Sequence, residues 1–264
     1  MKTWIIRGIT LLVGLTFGWV LYKLLAPLGY AWVVWTLAAL SVGFFVLETV
    51  LRHRKRTAER TAWARWQNAL LDPAARRKAI LEVRRELARA RRLGPRLRVR
   101  QARLSVALAN LELGEGRSED AIATLSKLDV SKLEPQQAVV VRIARAQAYL
   151  HGDDIDGAAA TLSPLTDDTT GDAVLDASVT LARAAIAVEE GALDDASTAA
   201  ARILGLAAKD DELWDEAKAL EAVCLDARGE PHQAALREIA EPGRARLAAL
   251  GSARLRGLLE PLDA

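Results

Sequence analysis

The chain has 264 residues and a formal charge of only +2, from 36 basic and 34 acidic side chains, a length that suits one large module or two modest ones. A single cysteine, Cys224, excludes an intramolecular disulfide and a multi-thiolate metal site, and three scattered histidines offer no ligand spacing. β-branched and aromatic residues are sparse beyond residue 60 and period-two alternation is missing, so a sheet protein is disfavoured and an all-α chain is expected.

The near-neutral total hides a division along the chain. Residues 1–51 carry three basic side chains and one acid, residues 52–103 carry 18 and 4, and residues 104–264 carry 15 and 29. Within 1–51, 15 uncharged residues separate Arg7 from Lys23 and 24 separate Lys23 from Glu48. A membrane span needs about 20 predominantly apolar residues. The second run meets that outright, and the first meets it if Arg7 and Lys23 extend their charges to opposite interfaces. With Pro27-Leu28-Gly29 as a turn, residues 4–25 and 29–51 are predicted to form a transmembrane helical hairpin. Lys2 and Arg7 before it, and Arg52, Arg54, Lys55, Arg56 and Arg60 after it, outnumber Lys23 in the turn. Both ends are therefore expected on the cytoplasmic side of a bacterial inner membrane. A cleaved signal peptide is the rival reading of the first run; the second would still hold the remainder inside. Gly14-x-x-x-Gly18 permits close helix approach, within the hairpin or between copies of the chain in a homo-oligomer.

Residues 52–95 read as basic connecting helices. Asp72-Pro73 is an N-cap followed by a first-position proline, and Gly94-Pro95 is a stop. Between them Ala79, Ile80, Val83, Leu87 and Ala90 form an apolar stripe with arginines on the other faces. The charge is explained by membrane topology and solvated helix surface, or by attraction to anionic lipid through Arg52, Arg54, Lys55, Arg56 and Arg60. Nucleic acid is not expected, because no recognition motif or aromatic platform accompanies the charge.

Beyond residue 96 the chain repeats itself. Ala121-Ile-Ala-Thr-Leu-Ser-Lys-Leu128 and Ala158-Ala-Ala-Thr-Leu-Ser-Pro-Leu165 agree at six of eight positions across an offset of 37, and further units begin at Ala196 and Ala234. An alanine lies twelve residues earlier in each unit (Ala109, Ala146, Ala184, Ala222), and a glycine lies between the two (Gly116, Gly152, Gly191, Gly229). Small residues let two helix backbones close together, and glycine lets the chain turn where the first helix ends.

These residues resemble the tetratricopeptide repeat (TPR) family over about 96–241, as four degenerate units. The resemblance implies an α-solenoid of helix-turn-helix repeats, with residues 242–264 as a C-terminal capping helix. The aromatic of the first helix survives only at Tyr149, and the period exceeds the family's 34 residues. In TPR proteins the inner surface of each first helix receives the ligand. By position this singles out Arg103, Val106 and Asn110, then Val140, Ile143 and Gln147, then Ser178, Leu181 and Ala185. The layout of two spans, a basic stretch and repeats also resembles the HemY-type accessory proteins of haem biosynthesis.

The chain has no phosphate-cradling loop, zinc-protease motif or nucleophile elbow, so no enzyme, cofactor or metal is expected. Acidic pairs such as Asp153-Asp154 and Asp210-Asp211 read as helix caps. His151 is expected on the surface and Cys224 as an inert packed thiol. The expected function is that of a membrane-anchored scaffold whose acidic repeats hold a basic or amphipathic segment of another protein. Anionic-lipid binding through the basic helices is the alternative.

Overall fold

The structure is a computed structural model that describes residues 22–23, 27, 48–51, 53–54, 57–58, 60–94, 97–165, 170–209 and 211–259. The chain divides into two compact units, Met1–Trp63 and Ala64–Ala264. All but a few residues of the expected hairpin at 4–25 and 29–51 lie outside the described residues, as do Arg52, Lys55 and Arg56; Arg54 and Arg60 are described and exposed. Among the described residues no helix is long and apolar enough to cross a membrane, and this corrects the expected placement as a multi-pass inner-membrane protein. The helix Pro73–Arg92 has the length of a span, but it carries eight Arg and Lys residues among its 20.

Among the described residues the second unit is all-helical. Its first complete helix, α1 (Pro73–Arg92), starts where the side chain of Asp72 accepts the N–H of Ala74 at 2.9 Å, and it buries Ala79, Ile80, Val83, Leu87 and Ala90, the five residues of the predicted stripe. Four helix pairs follow: α2 (Arg98–Gly114) with α3 (Ser118–Ser126), α4 (Pro135–His151) with α5 (Ile155–Leu162), α6 (Ala173–Glu189) with α7 (Leu193–Leu204), and α8 (Glu212–Ala227) with α9 (Gln233–Glu238). α10 (Glu241–Leu250) and α11 (Ala253–Leu259) follow. Acidic caps recur as read: Asp154 accepts from Gly157 and Asp211 from Leu213.

Within the pairs the spaced alanines share one core. Ala109 and Ala121, Ala146 and Ala158, and Ala184 and Ala196 are all buried. In the fourth pair Ala234 is exposed and Ala235 takes its place in the core. The Pro231-His232 lead into α9 delays that six-residue helix, so its packing position falls one residue later than the spacing predicts.

The turns share one device. The N–H of Arg117, Asp154, Ala192 and Glu230 each bonds the carbonyl five residues earlier, on Glu112, Tyr149, Ala187 and Leu225, at 2.7–2.9 Å. The residue before each donor is left-handed: Gly116, Gly191 and Gly229, with φ between +73° and +85°. In the second turn that residue is Asp153 (φ +63°), not the expected Gly152. Gly152 serves close packing instead, because a Cβ there would meet the Ser118 side chain at 3.0 Å.

Each first helix contacts its own second helix and the next first helix, so α2, α4, α6 and α8 lie side by side. Arginines at matching positions of α4 and α6 tie neighbours together: Arg145 donates to the carbonyl of Leu125 at 2.8 Å, and Arg183 to that of Leu165. At the leading edge Glu112, almost wholly buried, accepts from Arg84 of α1 at 2.7 Å and from Thr124 of α3 at 3.0 Å, joining three helices through one carboxylate.

Two stability changes should follow. Asp153→Gly removes the side-chain penalty of the left-handed turn and should raise unfolding free energy by roughly 0.5–1 kcal/mol in urea titrations. Ala146→Trp overfills the contact with Ala158 and should lower it by about 1–3 kcal/mol or more. Equal midpoints for the Ala146→Trp variant and the parent would tell against the packing.

Candidate functional site

The side-by-side first helices face a cavity of about 120 Å³, lined on one side by Gln147 and Leu150 of α4, Ser178, Leu181 and Ala185 of α6, and Glu216 and Leu220 of α8. Its other wall is the end of the chain: Arg246, Leu247 and Leu250 of α10, the Gly251-Ser252 turn, and Leu255 of α11. The volume is well below the roughly 300–1,000 Å³ of small-molecule sites. It suits a side chain of a docked helix.

Of the nine positions placed on inner faces by resemblance, Gln147, Ser178, Leu181 and Ala185 line this cavity. Ile143 is buried in the core between α4, α5 and α6. Val106 packs at the margin of the α2–α4 core, and Asn110, half-buried, keeps its side-chain oxygen out of contact with solvent. Arg103 and Val140 are exposed. Sequence reasoning missed Glu189, Glu216, and all the residues contributed by α10 and α11.

The terminal helices do not lie only beside α8, as a cap would. α10 also packs on α2 and α4, and Leu250 reaches the core around Ala102 and Ala109. Leu247, Leu255 and Leu259 are buried with Leu181, Val188 and Leu220. Arginines fasten the segment at its edges. Arg246 pairs with Glu212 at 2.8 Å and Asp215 at 3.3 Å, Arg254 pairs with Asp226 at 3.4 Å, and Arg256 donates to the carbonyl of His151 at 3.2 Å. The segment approaches α8 closely at Gly243, where a Cβ would press on the carboxylate of Asp215.

Charge separates the two walls. Residues 104–240 hold 11 basic and 26 acidic side chains, whereas 241–259 hold four arginines and one acid. Within the cavity, burial pushes the Glu216 carboxyl up to about 7; Arg246 opposes the rise, and Glu212, Asp215 and Asp211 add to it. Burial also raises Asp215. His151 is buried rather than exposed, a correction: burial and then the nearby Arg256 hold its imidazole down to about 4, and it is neutral near pH 7. Cys224 is buried, and burial raises its thiol. Among the described residues no group of three or more His, Cys, Asp or Glu is placed to hold a metal ion.

No protein-family model, curated protein or solved structure matches this chain.

The two shifted groups act oppositely on stability. Neutral His151 binds fewer protons folded than unfolded, so its contribution is full above about pH 6.5 and lost as pH falls towards 4. Glu216 binds more protons folded than unfolded, so stability falls as pH rises from about 4.5 to 7. The effects oppose each other in the parent chain. His151→Gln should therefore leave a Tm that declines from pH 5 to 7, and Glu216→Gln one that climbs, as read by thermal unfolding across that range. Parallel Tm profiles for the two variants would contradict the assignment.

Proposed function

We propose that the chain is a scaffold of TPR-like helix-turn-helix repeats that binds a basic, amphipathic helical segment of another protein along the inner faces of α4, α6 and α8. The observation that carries this reading is the seat that α10 and α11 occupy, an apolar floor of Leu181, Ala185 and Leu220 with Glu189 and Glu216 lining it and Glu212 and Asp215 paired to Arg246 at its edge. Apolar burial supplies the affinity of such an interface, and charge complementarity supplies its selection and rate of encounter.

Support for the repeat reading comes from the alanine contacts, the common turn and the lateral packing of the first helices. The seat of α10 in the groove supports the partner chemistry. A helix with leucines on one face and arginines beside them fits there with its charges paired. Exposed ion pairs are worth roughly 0–1 kcal/mol each, so the rim orients a partner and the leucine contacts hold it.

The reading is tested with a short synthetic helix of leucine, alanine and lysine bearing a photoreactive group, mixed with the full chain. Crosslinks should map to the strip containing Gln147, Ser178 and Leu181, and affinity should fall as salt rises. Glu189→Lys should weaken binding about five- to tenfold by replacing an attractive rim charge with a repulsive one. Equal binding of a glutamate-substituted peptide would overturn the proposal.

A further inference from the structure

The seat of the last two helices is unusual for the end of a row of hairpins. After α9 the chain turns back across the first helices, reaching α2 through Leu250, and Arg256 then meets His151, 105 residues earlier in the chain. The segment repeats a short pattern: Ala245-Arg246-Leu247 and Ala253-Arg254-Leu255. In both copies the leucine is buried in the groove and the arginine pairs with an acid of α8. The chain thus carries, on its own end, the type of segment its groove is built to receive.

The fit is incomplete. Between the segment and the row of first helices a partly open pocket is left unfilled by side chains. The pocket, of about 120 Å³, is bordered on the segment's side by Gly251 and Ser252 together with Arg246, Leu247, Leu250 and Leu255. Gly251 is bound by the turn, because a Cβ there would strike the carbonyl of Leu247 at 2.6 Å. The segment therefore cannot close the void from that position. Its two helices, of ten and seven residues, are also too short to be stable away from a packing surface.

We infer that residues 241–259 are a built-in, displaceable occupant of the groove, and that the partner's basic helix replaces them by placing a large apolar side chain in the cavity beside Gly251 and Ser252. This rests on the reading of the groove as a binding surface. Tethering keeps the segment at high effective concentration, so a partner with only equal contacts loses the competition. The unfilled cavity is what a better-matched helix gains. The acids that hold Arg246 and Arg254 then become available to the partner's basic residues. Binding outside and release of the chain end become one equilibrium.

The experiment uses the full chain and two labelled peptides: residues 241–259, and the same peptide carrying Ser252→Phe. The parent should take up the first peptide weakly. The double variant Arg246→Glu, Arg254→Glu sets like charges against Glu212, Asp215 and Asp226, and should bind that peptide about tenfold more tightly than the parent does. The phenylalanine peptide should bind the variant about fivefold more tightly again, because it fills the void. Helix content by circular dichroism checks that the variant is folded. A second form, cut after folding at a protease site inserted between Ala240 and Glu241, should exchange its severed end for labelled peptide. If the variant and the cut form stay helical and neither takes up peptide, the segment is a permanent part of the core and the inference fails. If the lysine-leucine helix binds parent and variant equally well in the groove, displacement fails while the groove reading stands. If that helix binds neither, the groove reading itself fails.

Discussion

The architecture of the second unit depends on one constraint, small residues buried in the core shared by the two helices of each hairpin. Ala109, Ala121, Ala146, Ala158 and Ala196 are wholly or almost wholly buried, and a larger side chain at any of them would force two helix axes apart. Close approach leaves little room for the connection, and the four turns meet that constraint with the same backbone bond across a left-handed residue. The alanine spacing and the turn are thus two expressions of one geometric demand. Asp153 shows the demand is conformational, since the left-handed position is kept where glycine is not used for it.

With each short second helix held close to its partner, the longer first helices are left to pack laterally, and that row generates the groove. Its shape follows from residue size. On α6, Ser178, Ala182 and Ala185 are too small to meet the crossing segment completely, and the void opens there. Its electrostatics follow from composition, because an acidic row gathers carboxylates beside an apolar floor and burial makes Glu216 hard to ionise. An arginine-bearing helix relieves that field while its leucines cover the floor. Packing and charge therefore select the same kind of occupant.

The α1 stripe, the caps at Asp72 and Asp154, the alanine pairs and three of four left-handed glycines were legible in the sequence. Each depends on residues within about one helical turn or one hairpin, and such short-range demands leave a periodic trace. The departures are local as well. Ala235 replaced Ala234 because a proline lengthened the lead into α9, and Asp153 replaced Gly152 because an aspartate tolerates the left-handed region. The resemblance placed Gln147, Ser178, Leu181 and Ala185 at the groove, whereas Ile143, assigned to the same face, packs in the core between α4, α5 and α6.

The path of the chain end was decided in three dimensions. Residues 241–259 carry helix signals and arginines, features equally compatible with a terminal cap on α8. Their seat across α2, α4 and α8 arises from surfaces assembled by hairpins far apart in sequence. The contact of Arg256 with the carbonyl of His151, 105 residues earlier, has the same origin. Periodicity records which face of a helix turns inward. What that face meets is set by shape and charge complementarity between distant segments, for which a linear pattern carries no register.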